Sequence, residues 1–268
     1  MAKPILLYPF RNRIKRKGLD PEEMMQWLEF LSPSIVKWEQ DFIIGEPDGA
    51  CTDILGETIS GGSITGSVAS TANGICRLTT GGSTNNYCYV FPNGDETMEG
   101  ACYLGNNSAV MWARVKINTA ASVKIECGFT DASDDEGAVS NLVTPLTTAS
   151  DCALWCYDTA DTGGLFWQGV YSLSSTTPSK YEPGIRLPVA NTYEWLGVAL
   201  LGSAVKFMHA DAYGNPNGES GWLSSATSGI TADTPLIPWI GAHTRTGTTR
   251  LLDIDYVIAY QRRTSDDD

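Results

Sequence analysis

Two periodicities run along the chain, and they change over near residue 36. Before that point, one segment repeats its apolar residues at helical spacing. Asp20 is a good N-cap, Pro21 suits the first helical position, and Glu23 stands three residues after the cap, as in a capping box. Met24, Trp27, Leu28 and Leu31 then recur at i, i+3, i+4 and i+7, forming one apolar stripe that Ser32 and Pro33 end. The pattern predicts one short α-helix of about eleven residues, which needs a surface to pack on because an isolated helix of that length is marginal.

From residue 36 onward the texture is that of strands. Short apolar or alternating runs are separated by Gly, Asn, Ser, Thr and Asp. The runs predict strands at 74–79, 87–91, 109–117, 122–130, 152–157, 165–168, 193–201, 204–211, 236–244 and 251–262. In the fourth of these, Ser122, Lys124 and Glu126 face one way while Val123, Ile125 and Cys127 face the other. In the last, the same alternation puts Leu252, Ile254, Tyr256 and Ile258 on one side. Gly202–Ser203 between two apolar runs reads as a tight hairpin. About ten strands with turn signals between them predict an all-β, antiparallel two-sheet sandwich or barrel. Trp112, Trp195, Trp239 and Phe207 are the expected packing between its sheets.

Composition agrees with that reading. The chain has 268 residues, 42% hydrophobic and 18% charged, with 27 Gly and only 8 Lys. This is enough apolar material for a core, too little charge for disorder, and a turn-rich balance. The net charge of −13 argues against nucleic acid as a partner of the whole surface. The charge is uneven, however. Residues 1–18 carry six basic groups (Lys3, Arg11, Arg13, Lys15, Arg16 and Lys17) and no acid, whereas residues 41–268 carry 11 basic and 26 acidic groups. The domains are therefore expected as 1–40, a basic extended arm plus amphipathic helix, and 41–268, the sandwich. No run reaches the roughly 18 apolar residues of a membrane helix, and MAKPILLYPF does not read as a signal peptide, so no membrane partner is expected.

The seven cysteines show no CxxC and only two His residues accompany them, so a zinc site is not expected. Cys152 and Cys156 sit four apart in one strand, roughly 13 Å at strand rise, too far for a bridge. The cysteines read as small buried hydrophobes of a chain assembled in a reducing compartment.

The order MWARVKI, VKIECGFTDAS, YEWLGVALLGSAVKF, PLIPWIGAHT and LLDIDYVIAYQRR resembles the concanavalin A-like (laminin G-like) jelly roll in the form found in bacteriophage virion proteins. The matching residues are Gly128, Phe129 and Asp131 after a core strand, the late hairpin, and Ile254, Asp255, Tyr256, Val257, Gln261 and Arg262 in the closing strand. The resemblance covers roughly 41–263. It implies an antiparallel jelly-roll sandwich, and a virion structural protein: a capsid decoration (cement) or minor head or tail component, assembled in the bacterial cytoplasm. Its partners would be other virion proteins and further copies of itself, as a homo-oligomer. Residues 1–33 would dock it, with Arg11, Arg13, Lys15, Arg16 and Lys17 crossing an acidic neighbour and Trp27, Leu28 and Leu31 filling an apolar groove.

Glycan-cleaving enzymes of this fold carry an ExDxxE-type carboxylate string, which places an acid and a nucleophile on one groove. The string is missing; Asp253 and Asp255 share a strand face but are expected there as solvated carboxylates. No serine elbow, P-loop or dinucleotide fingerprint is present, and His209 and His243 read as ordinary strand residues. The chain is thus expected not to be an enzyme and to use no cofactor. Lectins of this fold bind calcium through loop oxygens, and the acidic loops 131–136 and 211–219 offer Asp131, Asp134, Asp211 and Asn215 as weak candidates. The alternative function is carbohydrate binding, with Trp167, Gln168, Tyr171 and Trp222 as the candidate aromatic platform for a surface glycan.

Overall fold

The computed structural model describes residues 35–40, 56–59, 62–65, 74–90, 103–132, 137–161, 166–174, 178–182, 187–224 and 229–262. The predicted helix, the basic residues of the arm and Asp134 lie outside these. Among the described residues the fold is all-β, with one 3-10 turn at Gly105–Asn107.

The strands are β1 (Ile35–Gln40), β2 (Gly56–Ile59), β3 (Ser63–Thr65), β4 (Cys76–Thr79), β5 (Tyr87–Val90), β6 (Val110–Ile117), β7 (Val123–Thr130), β8 (Val139–Asn141), β9 (Leu146–Thr147), β10 (Cys152–Asp158), β11 (Gln168–Ser172), β12 (Ser179–Tyr181), β13 (Tyr193–Leu201), β14 (Ala204–Ala210), β15 (Pro216–Glu219), β16 (Ile237–Thr244) and β17 (Leu251–Arg262). Sheet I runs β15-β14-β13-β6-β17-β4-β3, and β1 joins it by pairing with β17. Sheet II runs β12-β11-β10-β7-β16-β5-β2, and β8 with β9 forms a separate ribbon. The pairings are antiparallel. β4, β5, β6 and β7 alternate between the sheets, as do β16 and β17, which makes a two-sheet jelly roll.

Alternation explains the core. Met111, Ala113, Val115 and Ile117 of β6 and Val123, Ile125, Cys127 and Phe129 of β7 all point into one buried cluster between the sheets. Each such large side chain contributes about 1.5–3 kcal/mol on burial. Trp155 of β10 spans the layer: its indole N–H lies 2.9 Å from the Gly197 carbonyl and 3.2 Å from that of Met208, both in sheet I. Gly202 turns the β13–β14 hairpin with φ +58°, the left-handed value the turn needs.

Several features differ from expectation. Phe207 is in the inter-sheet core, but Trp112 and Trp195 lie on the outer face of sheet I and Trp239 on the outer face of sheet II. They occupy the opposite parity to Met111, Leu196 and Ile240; in β6 that outward parity also carries Arg114 and Lys116, whereas in β13 and β16 both parities are largely apolar and hydrophobicity alone does not reveal which points inward. In β17, a bulge between Ile254 and Tyr256 flips the alternation: Leu252 and Ile254 point into the core, then Val257 and Ala259, leaving Tyr256 and Ile258 outside. Finally, β1 lies within the segment assigned to the arm, yet its six residues pair with β17 from Ile35↔Arg262 to Gln40↔Val257, so the sheet begins by residue 35. The strand predicted at 165–168 begins instead at Gln168 and extends to Ser172. The short strands that were missed, such as β12 and β15, are edge strands shaped by pairing rather than by their own pattern.

Candidate functional site

The outer face of sheet II is closed. Residues 137–149 cross it, and Ala138, Val139, Leu142 and Ala149 pack with Leu154, Val170, Ile237, Trp239, Tyr87 and Tyr89. This explains why every residue of β7 is buried although half of them are the polar parity of the alternation. Lys124 and Glu126 both have fully buried side chains and pair at 2.8 Å. The Glu126 carboxylate accepts the Ala138 and Val139 amide N–H groups at 3.0 and 2.8 Å and the Trp239 indole N–H at 3.2 Å, while the Lys124 ammonium donates to the Val139 carbonyl. The polar pair therefore fastens the crossing segment to the sheet. His243 of β16 lies on the same face, stacked on Tyr87 with ring centroids 5.1 Å apart. Burial, then the nearby Lys124 and Arg245 charges, hold its imidazole well below the usual histidine range, so it is neutral.

The four residues predicted as a sugar platform do not form one. Trp167 and Tyr171 are buried in the inter-sheet core. Gln168 has the opposite parity, is buried, and donates to Asp161 at 3.2 Å. Trp222 is exposed at 36%, beside Leu223, which bridges to Val205 at the edge of sheet I. Trp167 faces inward because its indole N–H donates to Glu194 at 3.0 Å, and Glu194 also meets His209 Nε2 at 2.7 Å and accepts the Val189 N–H at 3.0 Å. His209 is thus part of a buried polar cluster rather than an ordinary strand residue.

The calcium candidates are not brought together. Asp131 follows β7 in sheet II, and Asp211 follows β14 in sheet I. The Asp211 carboxylate is taken up locally, accepting the Tyr213 and Asn215 N–H groups and the Asn215 amide, each at 2.9 Å. Among the described residues, no group of three His, Cys, Asp or Glu could hold a metal ion. A shallow depression of about 680 Å³ opens beside the β6–β7 turn, lined by residues including Ala120, Ser122, Tyr157, Leu187 and Arg245. Arg245 pairs there with Asp158 at 2.5 Å.

The outer face of sheet I is different, because part of it is open and chemically dense. Cross-strand register sets one row Arg77–Asp253–Lys116–Tyr193 and a neighbouring row Tyr256–Arg114–Trp195. Arg77 donates to both Asp253 oxygens, at 2.6 and 2.8 Å, and Lys116 Nζ reaches the same carboxylate at 2.9 Å. Arg114 pairs with Asp255, which the bulge in β17 turns toward it. The Tyr193 ring lies under both cations, 4.1 Å from the Arg114 guanidinium carbon and 4.7 Å from Lys116 Nζ. Trp195 and Tyr256, both half-buried, meet edge to face at 6.0 Å. Gly197 belongs to this design, since a Cβ there would stand 2.6 Å from the Trp112 ring.

Asp253 and Asp255 were expected as solvated carboxylates; both are held instead in ion pairs, Asp253 with a side chain only 4% exposed. Burial pulls the Asp253 carboxyl upward, but the hydrogen bonds from Arg77 and Lys116 outweigh it and hold the group below the ordinary carboxylate range. It is therefore ionised at neutral pH and does not serve as a general acid. Arg77, Arg114, Lys116 and Tyr193 were not singled out from the sequence, and Trp195 and Tyr256 were read only as structural residues. Cross-strand pairing brings Arg77 and Asp253 together from 176 residues apart, and no local spacing encodes that.

These features define an antiparallel two-sheet jelly-roll sandwich with a charged aromatic face on one sheet and a sealed face on the other. No protein-family model matches the chain, and no curated protein matches it in sequence. Solved structures do match in fold. A protein of unknown function from Shewanella oneidensis MR-1, SO2946, superposes with a TM-score of 0.59 at 12% identity, over 91% of this chain and 95% of its own. SCLam, a non-specific endo-beta-1,3(4)-glucanase from family GH16, superposes with a TM-score of 0.54 at 9% identity, over 87% and 93%. Peanut lectin gives a TM-score of 0.49 at 9% identity, over 86% and 99%. At these identities the likeness is one of fold. It corrects the expectation that the chain is not an enzyme: a glycoside hydrolase is built on a sandwich of the same fold, so the fold itself is compatible with catalysis.

Proposed function

We propose that the chain is a carbohydrate-recognising sandwich carried on a bacteriophage particle, and that the outer face of sheet I meets the glycan. The observation that carries the glycan reading is the half-buried Trp195–Tyr256 pair set beside the ionic rows of Arg77, Lys116, Arg114, Asp253 and Asp255. Aromatic faces accept the C–H faces of a pyranose, and fixed ion pairs supply directional donors and acceptors for its hydroxyls. The rigid sheet holds both in place, so little ordering is needed on binding.

The virion half of the reading is supported by the residues that resemble phage jelly rolls and by the basic arm before an acidic body. Residues 1–33 dock the domain on neighbouring virion proteins, and the sandwich projects outward. Deleting 1–33 then abolishes binding to bare particles; undiminished binding refutes the anchoring role.

A glycan array of the full chain tests the recognition. Trp195→Ala and Tyr256→Ala are expected to lose signal by about tenfold or more, consistent with the weight aromatic anchors carry in interfaces. Loss in Trp222→Ala with Trp195→Ala unaffected moves the glycan to the sheet edge and refutes the face assignment. Reducing-end release is measured in the same samples, so that turnover is detected alongside retention.

A further inference from the structure

We propose that this face of sheet I takes an anionic saccharide, one bearing carboxylate or sulfate groups, in preference to a neutral one; this rests on the carbohydrate reading above. The charge count is the first observation. Residues 41–268 hold 11 basic against 26 acidic groups, yet three of those bases, Arg77, Arg114 and Lys116, stand side by side on two adjoining cross-strand rows. They face two carboxylates, Asp253 and Asp255, so the cluster is positive in a chain that is otherwise strongly negative.

The layering is the second observation. The acids lie beneath and the bases above: the Asp253 and Asp255 side chains are 4% and 14% exposed, against 32% for Arg77, 24% for Arg114 and 23% for Lys116. The rim that an approaching ligand meets is therefore cationic. The third observation is unspent donor capacity. Arg77 commits Nε and Nη2 to Asp253, and Arg114 commits Nη1 to Asp255, which leaves Nη1 of the first and Nε and Nη2 of the second to meet a ligand oxygen. A planar guanidinium already fixed by a carboxylate binds a second oxyanion with little loss of rotamer freedom. Tyr193, clamped by Arg114 and Lys116, keeps the cations from folding down onto the sheet.

The test is affinity electrophoresis of the full chain through gels holding alginate (carboxylated), heparin (sulfated) or dextran (neutral). Retardation in one or both anionic gels and not in dextran is expected, and which gel retards the chain separates the two anion chemistries. Arg77→Gln and Arg114→Gln are expected each to weaken retention by about tenfold, the weight of one charge-assisted hydrogen bond. The urea midpoint of each variant verifies its fold, and two variants on separate ion pairs guard against one failing to fold. The basic arm could itself hold a polyanion, so Lys15→Gln/Arg16→Gln in the full chain is the counter-variant. Retention lost with the arm variant and kept in both face variants overturns the proposal. Equal or stronger retention in dextran overturns it while leaving the carbohydrate reading standing, and no retention or array signal for any glycan removes both.

Discussion

Glu126→Gln tests how the closed face of sheet II is held. The change keeps the shape and removes one charge from a pair whose two side chains are fully buried. Lys124 is left as an ammonium without its carboxylate, and breaking a buried pair from one side costs about 3–5 kcal/mol. A second penalty arises at the crossing segment. Glu126 accepts three donors, the amides of Ala138 and Val139 and the Trp239 indole, and they are divided between both of its oxygens. A glutamine has one accepting oxygen, so at least one of those donors faces an N–H₂ group, at about 1–3 kcal/mol for an unsatisfied buried donor. The total of about 4 kcal/mol or more corresponds to a fall of roughly 1–2 M in urea midpoint at an m-value of about 3 kcal/mol/M. Adding Lys124→Met removes the stranded charge and is expected to recover about 2 kcal/mol, so the double-mutant cycle is strongly non-additive. A Glu126→Gln unfolding free energy within about 1 kcal/mol of the parent's, or an additive cycle, refutes the claim that this pair fastens residues 137–149 to the sheet.

Two further predictions concern acid. The Asp253 carboxyl titrates lower in the folded chain than in the unfolded one, so its contribution is complete above the unfolded value near 4 and is lost as pH falls through the lower folded value; Asp253→Asn is expected to remove about 2 kcal/mol at pH 7 and to flatten the stability curve below about pH 4. His243 is shifted down as a base, so the unfolded chain takes up a proton that the folded chain refuses, and stability falls as pH drops below about 6.5; His243→Leu is expected to abolish that slope in urea titrations between pH 7 and 5. Gly197→Ala drives a methyl into the Trp112 ring and is expected to cost about 1–3 kcal/mol, read as a lowered Tm. Cys76, Cys88, Cys127, Cys152 and Cys156 are buried, and burial raises the thiol pKa of Cys88, Cys127, Cys152 and Cys156; in the native chain an aromatic disulfide reagent is expected to leave all five unmodified, with any fast reaction confined to Cys51 and Cys102.

Much of the scaffold was legible because period-two alternation is local. The residues of β6 and β7 announce their two faces within eight positions, and Gly202 marks its hairpin by the conformation it alone tolerates cheaply. The candidate face was mostly illegible. Asp253 and Asp255 drew notice as a pair, but their partners Arg77 and Arg114 arrive from strands far away in sequence. The tryptophans misled for a related reason: Trp167 looked available for a sugar, and Glu194, placed opposite it by folding, holds it inside.

The amino-acid sequence alone determined the class of the molecule, its antiparallel strands, their alternation and the buried character of the five described cysteines, because each follows from the chemistry of neighbouring residues. Only the tertiary structure decided which alternate face is sealed, where a single extra residue in β17 reverses inside and outside, and which charges meet. Those outcomes depend on register between strands far apart in the chain, and a one-residue difference in register exchanges the two faces of a strand.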